Sequence, residues 1–163
     1  MIFNEHDFKA NPELSNNQLT TLRFISPHMQ IEDNFWATVV KVHDADTVTL
    51  RTDFRDFDFP VRLANINALE LSEGGDVPRD WLINRVLGKE VFVLIDHNNR
   101  IGKYGRIIGE LLVDGFNVND EMLLLGIVPR FGYKDEGKIL DTSFYVRDDF
   151  IKPFFKILSE VAF

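Results

Sequence analysis

The apolar residues of this chain come in short runs, each ended by a turn signal, and that rhythm limits what it can fold into. Val39, Val40 and Val42, then Thr47, Val48, Thr49 and Leu50, are β-branched and apolar runs interrupted by His43-Asp44-Ala45-Asp46. They read as two strands joined by a tight acidic turn. Phe57, Phe59, Val61 and Leu63 alternate with Asp58, Pro60 and Arg62, the period expected of a strand with one buried face. Val91–Ile95 and Ile107–Val113 are continuous apolar runs that read as buried strands, and Asp114-Gly115 is a hairpin signal leading into 116–118. Between the third and fourth strands, Leu82, Ile83, Val86 and Leu87 fall on one helical face, with Gly88 as the stop. Asn119 is expected to cap a helix over 120–125, and Gly126 to supply its left-handed exit.

Five short strands with a helix between the third and fourth predict an α+β, mostly β chain. The expected core is a five-stranded OB-fold-like β-barrel with packed helices, spanning 34–133. The Asn/Ser/Pro content of 1–33 reads as a loose N-terminal extension. Residues 134–163 read as a C-terminal helical extension, capped at Thr142 or Ser143 and kinked or restarted at Pro153. Its Phe144, Phe150, Ile151, Phe154, Phe155, Leu158 and Val161 form an apolar face expected to pack on or beside the barrel, and alternatively to meet a protein partner or a second copy.

Composition removes several function classes. At 45% hydrophobic residues the chain has too much apolar surface to be disordered. No run approaches the ~18 apolar residues of a membrane span, and no basic cluster precedes an apolar core at the start, so a cytoplasmic, intracellular protein with no membrane partner is expected. With no cysteine there is no disulfide framework, thiolate metal site or thiol nucleophile. The 18 basic and 26 acidic residues give a net charge of −8. A broad electrostatic grip on a phosphate backbone is therefore excluded, and any nucleic acid must be held by a few well-placed cations, helped by a bound metal. No P-loop, dinucleotide fingerprint or G-x-S-x-G elbow occurs, nor a histidine spacing typical of a transition-metal site.

The residues left for chemistry are ordered along the chain. Asp44 and Asp46 lie two apart at a strand–turn boundary, where both can project to one side. Arg62 lies on the third strand, with Asn67 and Glu70 in the loop after it. Gly102-Lys103-Tyr104-Gly105-Arg106 is a glycine-flanked turn delivering a second arginine at a strand start. Oxygen ligands suit a hard cation such as Ca²⁺, and two guanidinium groups suit the oxygens of a phosphodiester transition state.

The succession VVKVHDADTVTLR, FPVRLANINALE, a helix, GKEVFVLI and GKYGRIIGELLVDGFNVNDEMLLLGI resembles the staphylococcal nuclease (thermonuclease) family over Trp36–Arg130. The resemblance implies Ca²⁺-dependent hydrolysis of DNA or RNA, with another divalent cation as the alternative. It implies that Asp46 is a metal ligand, Asp44 its supporting neighbour and Asn67 the occupant of a second ligand position. Arg62 and Arg106 would stabilise the phosphate, Glu70 would position or deprotonate the attacking water, and Lys103 and Tyr104 would lie beside the nucleotide phosphate. The chain departs from the family pattern at Asn67, where an aspartate is usual, at Ala45 in place of a turn glycine, and at Leu69 in place of a proline. Alanine is strained at position 45 if the turn needs a positive φ. These departures keep a second reading open, a weakened or inactive module that binds nucleic acid or a protein, with Phe54, Phe57 and Phe59 as stacking platforms.

Overall fold

The structure, a computed structural model, describes residues 4–21, 24–69, 72 and 74–130. The C-terminal extension expected over 134–163, its phenylalanine face, and Glu70 lie outside the described residues. The N-terminal segment contributes β1 (Asn4–Glu5), α1 (Asn16–Thr21) and β2 (Phe24–Ile25). β3 (Phe35–Asp44), β4 (Thr47–Arg51) and β5 (Phe59–Leu63) form an antiparallel meander. After α2 (Asp76–Val86) come β6 (Glu90–Leu94), β7 (Ile107–Val113), the short β8 (Phe116–Asn117) and α3 (Val118–Leu124).

β6 pairs with both β3 and β7, and β7 closes the sheet by pairing in parallel with β5, Val61 opposite Ile107 and Arg62 opposite Ile108. The result is a closed five-stranded barrel with helices, as the sequence predicts. Inward residues alternate along each strand: Val39, Val48, Leu50, Val61, Leu63, Val91, Val93, Ile107 and Leu111 are all at or near complete burial. Leu82 and Val86 of α2, with Val118 and Met122 of α3, join the same core. No helix among the described residues is long and apolar enough to cross a membrane.

Three local expectations change. α2 begins at Asp76, well ahead of Leu82, the first residue of the expected helical face, because Pro78 sits in its first turn, where a missing N–H costs no helical bond. Its buried residues are Pro78, Leu82 and Val86, while Leu87 is exposed past the helix end. α3 is capped by Asn117, whose side chain accepts from the Asp120 N–H. Asn119 is instead fully buried, accepting from the Leu111 N–H and donating to the Ala64 and Gly109 carbonyls. The hairpin reading holds: Asp114 and Gly115 both take positive φ, at 52° and 83°.

The N-terminal segment is not loose among its described residues. Phe8, Leu14 and Ile31 are buried. Arg55, 0% exposed in its side chain, bonds both oxygens of Glu13 at 2.5 and 3.2 Å and the Met29 carbonyl at 3.2 Å. Its guanidinium also lies 4.7–5.2 Å from the ring centroids of Phe8, Phe57 and Phe59. Phe59 is thus core, and Phe54 and Phe57 pack against it, so these rings are occupied rather than presented to a ligand. Removing one partner of a buried ion pair strands the other charge, at a cost of about 3–5 kcal/mol. Glu13→Ala should therefore lower stability by about that amount in chemical denaturation, and a loss below ~1 kcal/mol would contradict the burial described.

Candidate active site

Barrel closure brings together residues far apart in sequence. Thr47, the first residue of β4, is opposite Arg62 of β5 in the antiparallel register. Its hydroxyl accepts from Arg106 Nη1 at 3.4 Å and donates to Asp46 Oδ1 at 2.9 Å. Arg62 and Arg106 therefore converge on one threonine, with a carboxylate beside it. Arg62 Nη2 lies 3.3 Å from Asp46 Oδ2 and donates to Asn67 Oδ1 at 2.9 Å and to the Ile66 carbonyl at 2.8 Å. Its Nη1 donates to the Leu63 carbonyl at 2.6 Å. Burial works against the charge on Arg62, as does nearby Arg106, whereas Asp46 and Asp44 favour it.

The loop carrying Asn67 is shaped by its own hydrogen bonds. Asn65 takes φ 68°, a left-handed conformation asparagine tolerates better than most side chains, and donates to Glu110 Oε1 at 3.2 Å. Asp46 holds the chain on both sides of that turn. Its carbonyl accepts from the Leu63 N–H at 2.7 Å, and its Oδ2 from the Ala68 N–H at 2.6 Å. Asn67 N–H is anchored to the Pro129 carbonyl at 2.9 Å. Ala45 is fully buried and is not among the positive-φ residues, so alanine is unstrained in this turn.

The acidic pair is asymmetric. Burial, then a hydrogen bond with Asp46 and its charge, push the Asp44 carboxyl above its ordinary range. Burial pushes Asp46 the same way, but the Asp44 hydrogen bond, the Ala68 N–H, Arg62 and Thr47 outweigh it and hold Asp46 below its ordinary range. The two carboxyls are thus driven in opposite directions, Asp44 up and Asp46 down.

Of the sequence-predicted residues, Asp44, Asp46, Arg62, Asn67 and Arg106 form this one cluster. Lys103 and Tyr104 sit on the loop before Arg106, Tyr104 at 73% exposure with Lys103 Nζ 5.7 Å and Arg106 Cζ 5.8 Å from its ring centroid. That loop is backed by the N-terminal segment. Glu13 N–H donates to the Gly105 carbonyl at 3.0 Å, and Gly105, at φ 72°, packs so closely on Pro12 that a Cβ would meet it at 2.3 Å. Arg100, buried at the loop's base, donates to the Ile31 and Leu14 carbonyls and to Asn16 Oδ1. Sequence reasoning missed Thr47 as the meeting point of the arginines, although it directly follows the Asp-Ala-Asp turn. Backing from the N-terminal segment left no sequence signal.

The donor chemistry fits a hard divalent cation. Asp46 Oδ2 and Asn67 Oδ1 already converge on a single cationic nitrogen, Arg62 Nη2, with Asp44 adjoining Asp46. Among the described residues no three His, Cys, Asp or Glu side chains gather as a metal-holding group, because the third oxygen here is an amide.

A family model described as staphylococcal nuclease homologue matches residues 60–141, just over half of the chain. A search of curated proteins finds no match.

The Asp44 shift has a sign that can be checked. Its folded-state pKa lies above the unfolded value, so the ionised carboxylate costs the fold stability, and that cost disappears as pH falls through the raised pKa. In chelator, Asp44→Asn should melt higher than the parent at neutral pH, with the advantage shrinking on acidification. An advantage independent of pH would contradict the raised pKa of Asp44.

Proposed function

Because this chain belongs to the family of staphylococcal nuclease homologues, a family of nuclease type, we propose that it is a metal-dependent nuclease that hydrolyses phosphodiester bonds of DNA or RNA with Ca²⁺. The observation that carries this reading is the convergence of Arg62 and Arg106 on Thr47 beside the ionised Asp46. Two guanidinium groups in fixed positions are suited to the equatorial oxygens of a phosphate whose charge rises in the transition state. Lys103 and Tyr104 add a cation and an exposed ring next to that position, for the adjoining phosphate and base.

Asp46, Asn67 and Asp44 would hold the cation, which would supply positive charge to the phosphate when bound. Glu70 follows Asn67 by three residues and is the candidate to orient the attacking water and accept its proton. Arg62 has a second duty. Its bonds to the Leu63 and Ile66 carbonyls fix the loop that carries Asn67. Arg106 carries no such burden, so the two arginines separate chemistry from loop order.

One observation favours the second reading, a domain that binds nucleic acid without cutting it. Asn67 contributes an amide oxygen, and that oxygen is engaged by Arg62. Cleavage of labelled single- and double-stranded DNA and RNA across a Ca²⁺ titration decides between the two. Cutting that depends on Ca²⁺ and is lost in Glu70→Gln supports the nuclease. No cutting with any divalent ion by folded protein supports the binding module.

Two further outcomes are expected. Arg106→Ala should lower cleavage at least ~100-fold with little change in melting temperature, the usual scale for one transition-state donor. Arg62→Ala should lose as much activity and also stability, because two buried carbonyls lose their donor. Asn67→Asp should tighten Ca²⁺ binding roughly tenfold by calorimetry, since ligand charge tunes such sites; unchanged affinity would remove Asn67 from the ligand set.

A further inference from the structure

Several arginines of this acidic protein are already neutralised. Arg51 pairs with Asp58, Arg55 with Glu13, Arg62 with Asp46, Arg79 with Asp80 and Arg85 with Glu121. Of the cations in no such pair among the described residues, which include Lys9, Lys89 and Arg100, three gather around β4: Lys41, Lys103 and Arg106. Thr47, Thr49 and Arg51 alternate along one face of β4, which opens from buried Thr47 through half-buried Thr49 to exposed Arg51. Arg106 contacts Thr47 at one end of that face. His43 Nε2 lies 2.7 Å from the Thr49 hydroxyl, and Lys41 is opposite Thr49 in the β3–β4 register. A register shift between Val42 and Asp44 adds the extra residue that leaves His43 exposed beside Lys41.

We infer that the outward face of the β3–β4 hairpin, from Arg106 over Thr47 to His43 and Lys41 beside Thr49, is a track for the phosphate backbone of a single polynucleotide strand leaving the arginine site. The inference rests on the nuclease reading and extends its binding surface. Thr47 and Thr49 are about 7 Å apart, two strand rises, a length that spans about two phosphates of a stacked strand. The track is continuous with the exposed Tyr104 platform. The track also ends where it should. Beyond Thr49, Arg51 is held by Asp58 through two hydrogen bonds, and the loop after it carries Asp53, Asp56 and Asp58, which repel phosphate.

The test is fluorescence anisotropy of oligodeoxythymidines of about 4 and about 16 nucleotides, in chelator, over a range of salt. The parent should bind the longer strand more tightly. Lys41→Glu combined with His43→Ala should weaken binding of the longer strand roughly tenfold and remove most of its advantage over the shorter one. Lys41→Ala alone should reduce the slope of log affinity against log salt by about 0.7, one phosphate contact on a single strand, and Lys41→Arg should restore it. An unchanged affinity and slope in these variants, with the parent binding the long strand, overturns the track and leaves the nuclease reading standing. A parent that neither binds the long strand nor cuts the short one in Ca²⁺ overturns both.

Discussion

The parallel pairing of β5 with β7 is the contact on which the site depends. An antiparallel meander of β3, β4 and β5 would leave β5 as an open edge, with Arg62 facing outward near its end. Pairing Val61 with Ile107 removes that edge, and it brings the residue just before β7, Arg106, to the same rim. Parallel neighbours need a long crossover between them. Here α2, β6 and the 96–106 loop provide it, so the two arginines can meet although they are far apart in the sequence. Closing the barrel and assembling the site are one event. A change that loosens β5 against β7 would separate the guanidinium groups before it exposed the core.

Acidity sharpens what the few unpaired cations can do. Surface pairs such as Arg51–Asp58 contribute little stability, yet they withdraw positive charge from places where a polyanion would otherwise settle. The acidic loop 53–58 does the same by repulsion. Among the described residues, the arginine site, the Lys103–Arg106 loop and the outward side of β3 keep cations outside such pairs. A chain of net charge −8 can thus meet a phosphate backbone along a narrow line, the arrangement expected when specificity for position matters more than overall affinity.

How much of this was legible in the sequence follows from the range of the forces involved. Strand alternation, the Asp114-Gly115 hairpin and the Gly126 exit are set within a few residues, and all were readable. The cap of α3 was misassigned by two residues because Asn117 and Asn119 are both good candidates locally. The difference is tertiary: Asn119 is claimed by the β5–β7 seam, satisfying Leu111, Gly109 and Ala64. The N-terminal segment was misread as loose for the same reason. Its composition is polar, but Glu13 finds its charge partner at Arg55, and Pro12 finds its contact at Gly105. No local pattern encodes either meeting. The site residues were legible only through their order, since no single one is distinctive, and Thr47 was hidden because a strand threonine has so many ordinary uses.

On the proposed nuclease reading, Asn67 would have opposite consequences for a divalent cation and for phosphate. A carboxylate there would strengthen attraction for a divalent cation and would give Arg62 a second full counter-charge. An amide keeps the hydrogen bond to Arg62 Nη2 but removes one negative charge. Asp46, held below its ordinary range, is then the carboxylate that faces Arg62 directly. The rim is left more positive than the same site built with aspartate, which weakens its hold on a metal and strengthens its attraction for phosphate. In a strongly acidic chain the second effect has particular value, because there is little other positive charge to bring a nucleic acid to the barrel. Substitution at this single position therefore moves the site along an axis from metal capture toward phosphate capture while the barrel that supports it stays the same.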